Sequence, residues 1–272
     1  MDGKKKGKGP AKARGARATG KAKAAAARSE QRDLNARLQK CTEELGTAQS
    51  DLESFCFSIS HDLRAPLRSI DGFGNALLHE FGEKLEPQAR EYLRRIVDSS
   101  KKMGLLIDEL LVISRIQRTE LAVEEVNLTE MAESIIARLR KSDPHRKVLF
   151  SAEPKLRARA DRTLAETLLE KLLENAWKFT ARSSAPKVEF FARRQNAQRV
   201  FVVKDNGVGF DIAYAGKLFK AFQRLHSPSE YSGVGSGLAI ARTIVLRHGG
   251  RIWTEESKER GATFCFTLGK AR

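Results

Sequence analysis

From Leu34 the apolar positions run Leu34, Leu38, Cys41, Leu45, Ala48, Leu52, Phe55 and Ile59, in steps of four and three. That alternation is the seam of a coiled coil, so the spacing predicts a long helix that pairs with a copy of itself. The register slips at Ile59, Leu63 and Leu67, two successive steps of four, and resumes at Ile70, Gly74 and Leu77. Such a stutter locally unwinds a supercoil. Pro66 cannot donate to the Asp62 carbonyl, so a bend is expected in the same turn. After the breaker-rich segment 82–88 a second seam follows: Tyr92, Ile96, Ser99, Met103, Leu106, Leu110, Ile113 and Gln117. Two antiparallel helices with apolar seams make a hairpin, and two hairpins make a four-helix bundle.

From about residue 128 the pattern changes. Helical periodicity occupies 128–141, 161–180 and 237–248, interleaved with strand-like runs at 147–152, 187–192, 199–204, 250–254 and 263–268. Several short strands with helices predict a mixed sheet covered on one face, an α/β sandwich. The fold class is therefore α+β, a helical-hairpin bundle followed by a sandwich domain. The expected division is a basic tail (1–28), a coiled-coil helix (29–50), the hairpin (51–119) and the sandwich (120–272).

Composition adds limits. The 272 residues leave room for one or two domains with a core, and 41% hydrophobic content is ordinary for a globular chain. No run approaches the ~18 apolar residues of a membrane span. The basic N-terminus is not followed by an apolar stretch, so no signal peptide is read. The expectation is a soluble, cytoplasmic protein with no visible input domain. Cys41, Cys56 and Cys265 lack paired spacing, which argues against disulfides or a zinc site and for small half-buried apolar residues.

The net charge of +16 is concentrated at the start, where residues 1–28 hold ten Lys/Arg against one acid, Asp2. This Lys/Ala/Gly-rich segment is expected to be disordered. Its plain role is solubility. Contact with nucleic acid or an anionic surface is the alternative, weakened by the lack of aromatics for base stacking. Gly15 to Lys21 imitates a phosphate-binding loop, but Ala22 stands where Ser or Thr should ligate magnesium and no strand precedes it.

Four motifs carry the chemistry. Residues 57–68 read Phe-Ser-Ile-Ser-His-Asp-Leu-Arg-Ala-Pro-Leu-Arg, and 172–180 read Leu-Leu-Glu-Asn-Ala-Trp-Lys-Phe-Thr. Residues 205–210 read Asp-Asn-Gly-Val-Gly-Phe, and 233–240 read Gly-Val-Gly-Ser-Gly-Leu-Ala-Ile. His61 falls two positions beyond Ile59, off the seam, so its ring should face solvent. A neutral imidazole is a competent nucleophile near pH 7. Asp62 can accept a hydrogen bond from one ring nitrogen and leave the other free to attack. Asn175 and Lys178, three apart, share one helical face. Asp205 ends a strand, and Gly207 and Gly209 allow close backbone approach. Gly233, Gly235 and Gly237 precede a helix, whose free N–H groups suit phosphate.

In this order and spacing the motifs resemble the H, N, G1 and G2 boxes of the sensor histidine kinases of two-component signalling, in particular the phytochrome-like group. The resemblance covers roughly residues 50–270. It implies a dimerisation and phosphotransfer hairpin, joined to the ATP-binding fold shared with gyrase and MutL proteins. It implies that His61 is the phosphoacceptor, assisted by Asp62. It implies that Asn175 coordinates magnesium bridging the ATP phosphates, that Lys178 contacts phosphate and that Phe179 packs near adenine. Asp205, Gly207 and Gly209 would meet adenine, with Thr263 nearby. Gly233, Gly235, Gly237 and Leu238 would hold the phosphate end. Residues 211–232 would form a lid containing Phe219 and Phe222. Implied partners are a second copy of the chain, a response regulator receiver and an upstream sensor protein; implied cofactors are ATP and Mg2+.

Two positions depart from the pattern. Many relatives have Thr or Asn four residues after the histidine, where it orients water for dephosphorylation. Ala65 can orient nothing, which implies weak phosphatase activity. One turn before Asn175 many relatives carry a second asparagine for magnesium, and this chain has Lys171. Glu170 or Glu174 could substitute, Lys171 could meet phosphate directly, or metal binding is weakened. The leading reading is an ATP-dependent histidine kinase. Its rivals are a degenerate ATP-binding dimeric scaffold and a nucleic-acid-associated protein using the basic tail.

Overall fold

The computed structural model describes residues 11–118, 120–196, 198–211, 214–223, 231, 235–255 and 261–269, with backbone only at 11–29, 49, 52, 53 and 215. The chain divides into two compact units, up to Phe55 and from Cys56 onward. The first is the N-terminal stretch of helix α1 (Ala11–Phe81), along which Leu34, Leu38, Leu45 and Phe55 are exposed. Because α1 begins at Ala11, residues 11–28 are helical, and the disorder expected of the basic segment does not hold there. Ala, Lys and Arg are strong helix formers, which outweighs the lack of core residues. Residues 1–10 lie outside the described residues.

In the second unit α1 runs through Pro66 as one helix, turns at 82–86, and is followed by α2 (Pro87–Arg118). The two helices meet through named contacts. Ser100 Oγ donates to the Leu67 carbonyl at 2.9 Å, Arg64 pairs with Asp108 at 2.8 Å, and Gly74 lies directly against Val97. Ile59, Leu63, Ile70, Leu77, Tyr92, Ile96 and Met103, all seam or stutter positions of the pattern, are exposed.

The sandwich begins with β1 (Val123–Asn127) and α3 (Leu128–Ser142), then β2 (Leu149–Ala152), β3 (Arg157–Asp161) and α4 (Arg162–Phe179). It continues with β4 (Lys187–Gln195), β5 (Gln198–Asp205), the short α5 (Ala215–Leu218), α6 (Gly237–Arg247), β6 (Ile252–Glu255) and β7 (Ala262–Phe266). Among the described residues the main sheet has the order β2-β4-β5-β7-β6, parallel between β2 and β4 and antiparallel elsewhere. β1 and β3 form a separate antiparallel pair, which the apolar pattern does not predict because both strands are short and mostly polar.

One core fills the space between the sheet and helices α3, α4 and α6, with Leu168, Leu169, Leu172, Leu173, Phe190 and Phe201 fully buried. Burying such side chains stabilises by about 1.5–3 kcal/mol each before the cost of ordering them. The far face holds a smaller cluster of Val200, Val202 and Cys265. Burial pushes the Cys265 thiol up to about 12, so it stays protonated there. Cys41, by contrast, is exposed, against the half-buried expectation.

Two polar devices fix α4. Asp161 caps its start, accepting from Leu164 N at 3.0 Å. The Asp161 N–H donates to His248 Nε2 at 3.0 Å, while His248 Nδ1 donates to the Ile244 carbonyl at 2.8 Å. His248 is wholly buried, and these two bonds specify its neutral tautomer. At the other end Thr180 Oγ1 donates back to Ala176 and Trp177. Thus α4 is held at both ends, and its partly exposed side, carrying Asn175, is set in place.

Candidate nucleotide site and phosphoacceptor helix

The C-terminal end of β5 delivers Asp205 into the core margin, 2% exposed. Its Oδ1 accepts from Gly207 N at 2.9 Å and from Ala262 N at 3.3 Å. Burial raises its pKa from 3.8 to about 6, against the lowering effect of those two bonds. A carboxylate fixed through one oxygen presents the other as an acceptor, which suits an exocyclic amino group.

Two glycines permit this corner. A Cβ on Gly207 would overlap the Phe179 carbonyl, which accepts from Val208 N at 3.2 Å and ties the end of α4 to the loop after β5. Gly261 has φ +127, and a Cβ there would overlap the Asp205 carbonyl. Gly261→Ala is expected to cost about 3 kcal/mol or more, from backbone strain added to the clash. Urea denaturation reads this directly, and a midpoint equal to wild type would refute it.

The remaining predicted residues gather around the same corner. Phe179 packs on Tyr231 with ring centroids 5.0 Å apart, and Lys178 Nζ lies 4.3 Å from the Phe179 ring centre. Thr263, on β7, pairs in register with Lys204, one residue before Asp205. Phe219 stands edge-on to Phe264 with centroids 6.5 Å apart, whereas Phe222 is exposed with φ +64. Of the two lid aromatics only the first anchors to the core. Gly233 and the lid residues 212, 213, 224–230 and 232 lie outside the described residues.

Where the family resemblance puts the phosphates, α6 begins at Gly237, with Gly235 at φ +83 and Leu238 buried in the first turn. Ser236 occupies the N-cap position. Its hydroxyl oxygen is buried and has no hydrogen-bond partner among the described residues. An orphaned hydroxyl beside free helix N–H groups is the environment an oxyanion fits. Asn175 Nδ2 and Lys171 Cδ both flank Gly237, at 3.9 and 3.6 Å from where its Cβ would stand. So α4 and α6 bring Asn175 to the same place. Its amide oxygen is a hard donor suited to Mg2+, and no cluster of three acidic, His or Cys ligands exists among the described residues. Both carboxylates that could replace the missing asparagine are ion-paired: Glu170 with Arg138 at 3.1 Å and Glu174 with Lys171 at 3.5 Å.

His61 is not part of this cluster. It stands on α1 with 76% of its side chain exposed, and its Nδ1 is 3.2 Å from Asp62 Oδ1. With Nδ1–H donated to the carboxylate, the outward Nε2 carries the lone pair. Sequence reasoning gave no role to Tyr231 or Ser236, whereas Gly261 opens the Gly-Ala-Thr-Phe string that the family resemblance reads as its last box. A serine just before the α6 periodicity was a readable cap signal; Tyr231 lies within the lid segment and carried none.

Comparison with known proteins decides the family. Residues 51–119 match the His Kinase A (phospho-acceptor) domain, and residues 160–272 match the Histidine kinase-, DNA gyrase B-, and HSP90-like ATPase domain. The chain belongs to the sensor histidine kinases. It is 33% identical over 242 residues to cyanobacterial phytochrome B of Nostoc, covering 85% of this chain and 32% of that one. It is 34% identical over 232 residues to the methanogenesis regulatory histidine kinase FilI of Methanothrix harundinacea, covering 85% and 26%. This sensor kinase chain thus spans about a third or less of those relatives. Full-length ShkA in complex with AMPPNP shares its fold, with a TM-score of 0.55 at 22% identity over 80% of this chain and 46% of that one. Histidine kinase AdeS of Acinetobacter baumannii does so at 0.55 and 19%, over 78% and 98%. No helix among the described residues is long and apolar enough to cross a membrane.

Proposed function

We propose that the protein is an ATP-dependent kinase that phosphorylates its own His61 and passes the phosphoryl group to an aspartate of a response regulator. The observation that carries this is the exposed His61–Asp62 pair, 3.2 Å apart, on a chain whose other domain fixes a buried Asp205 carboxylate and holds an unpartnered Ser236 hydroxyl at the start of α6. Asp205 would orient the adenine, and Asn175 would supply an oxygen to Mg2+. Bound magnesium neutralises phosphate charge and holds the polyphosphate for in-line transfer. His61 Nε2 then forms the bond to the γ-phosphorus as the bond to the β,γ-bridging oxygen breaks and ADP departs. Asp62 holds the Nδ1 proton and offsets the positive charge that develops on the ring.

The exposed apolar stripe from Ile59 to Leu77 and from Tyr92 to Met103 supports pairing with a second copy in a four-helix bundle. Input is assigned to an upstream sensor protein. Incubation of the purified protein with Mg2+ and γ-labelled ATP tests the reading. The expected product carries acid-labile, base-stable label in wild type and none in Asn175→Ala. Absence of label from a folded dimer favours the scaffold reading, for which Lys171 is the motive.

A further inference from the structure

Helix α1 carries its charge in two blocks. Over 11–29, where the backbone is helical, stand six cations (Lys12, Arg14, Arg17, Lys21, Lys23 and Arg28) and no acid. Over 34–59, the length that bears the apolar seam, Arg37 and Lys40 are outnumbered by Glu43, Glu44, Asp51 and Glu53. The basic block is also one-sided. Arg14, Arg17, Lys21, Arg28 and Arg32 follow one another in steps of three, four, seven and four. At 3.6 residues per turn these positions fall within about 60° of one another, and they span about 27 Å at 1.5 Å per residue. Lys12 and Lys23 fall on the opposite side of the helix. The line of Leu34, Leu38, Cys41 and Leu45 is displaced from the cation line by about a third of a turn. Arg32, at the end of the cation line, is exposed.

A helix of this composition suits one class of polyanion. Its apolar residues over 11–33 are alanine and glycine alone. A helix lying in a membrane interface needs large side chains such as Trp, Phe or Leu to bury, and this one has none. Single-stranded nucleic acid is held by stacking on aromatic rings, which are equally lacking. The major groove of A-form RNA is too deep and narrow for side chains to enter. The major groove of B-form DNA admits an α-helix, and the phosphates along it ask only for cations. We propose that the start of α1, through Arg14, Arg17, Lys21, Arg28 and Arg32, is a docking arm for the phosphate backbone of duplex DNA. These cations position the helix on phosphates and read no base, so the arm tolerates any sequence. A basic helix that runs on into a heptad seam is the order in which zipper proteins lay their helices in that groove. The acidic balance of the seam block keeps that part of α1 off the duplex. Docking of this kind uses α1 alone and is independent of the catalytic chemistry proposed above.

Fluorescence anisotropy tests it, with the full chain titrated onto a labelled mixed-sequence duplex of about three helical turns over a series of salt concentrations. Wild type should bind, and log Kd should rise with log[salt] at a slope of about 0.9 for each phosphate engaged. The decisive variants remove equal charge from the same helix. Arg14→Gln/Lys21→Gln, on the cation line, should weaken binding about tenfold and lower the slope by about two for each arm engaged. Lys12→Gln/Lys23→Gln, on the opposite side, should change Kd by about twofold or less. Glutamine is a good helix former, so circular dichroism should show the same helix content in both. Equal losses in the two variants would reduce the arm to diffuse charge and overturn the docking face. Failure of wild type to bind the duplex, tighter binding to one of its single strands, or equal binding to duplex RNA of the same sequence overturns the DNA assignment. So does binding to vesicles containing phosphatidylserine with none to the duplex, which would give the face to a membrane.

Discussion

Asp205→Asn is expected to give a protein more stable than wild type at pH 7 and unable to bind adenine nucleotide. Asp205 is almost fully buried, and its folded-state pKa is raised from 3.8 to about 6 by that burial. A carboxyl with a higher pKa folded than unfolded holds its proton more tightly in the native state. Its favourable contribution is fully present below about pH 4 and is lost as pH rises through about 6. At pH 7 the native fold therefore carries a penalty of roughly 3 kcal/mol at this residue. Asparagine removes the charge but keeps an Oδ1 to accept from Gly207 and Ala262. Its amide nitrogen replaces Oδ2 and turns a donor toward the adenine amino donor, leaving both unpaired. Urea denaturation should show a gain at pH 7 that disappears near pH 4. Nucleotide affinity of wild type should fall as pH drops through about 6. A variant that is less stable than wild type by the same amount at both pH values would show that hydrogen-bond geometry, and not charge, dominates at this position.

His61→Gln should abolish all acid-labile label while leaving nucleotide affinity and thermal stability at the wild-type level. The side chain is three-quarters exposed and, among the described residues, bonds its neighbour Asp62, so its loss opens no cavity. Glutamine has no ring nitrogen lone pair with which to attack phosphorus. Asp62→Asn separates nucleophile from helper. An asparagine can hold either imidazole tautomer and offsets no ring charge, so the labelling rate should fall by about 100-fold or more with nucleotide Kd unchanged. Label on His61→Gln would place the phosphoacceptor elsewhere. A full labelling rate in Asp62→Asn would deny the carboxylate its role.

Much of this was legible in the amino-acid sequence because it is written locally. The α4 periodicity predicts 161–180, and the helix is Arg162–Phe179, since its buried leucines recur at helical spacing and Asp161 caps it. The four boxes are contiguous strings, so their order survives without any knowledge of packing. What escaped is long-range or charged. β1 and β3 are short strands of mostly polar residues, whose pairing depends on each other and not on an apolar run. The raised pKa of Asp205 comes from burial under residues distant in sequence. The basic segment misled in the opposite direction, because a composition too polar to form a core can still be rich in helix formers.

The place of β7 in the sheet has a consequence for synthesis. It is the last strand in chain order among those described, yet it lies inside the sheet between β5 and β6, with all five residues buried. Until residues 262–266 leave the ribosome, β5 has an open edge along Phe201 to Asp205, the stretch that β7 will pair. A nascent chain at that stage exposes a hydrogen-bonding edge flanked by Val200, Val202 and Phe201, the kind of surface that recruits foreign strands. Ribosomes stalled before codon 262 should therefore carry chains that depend on chaperones, and those released after codon 266 should not.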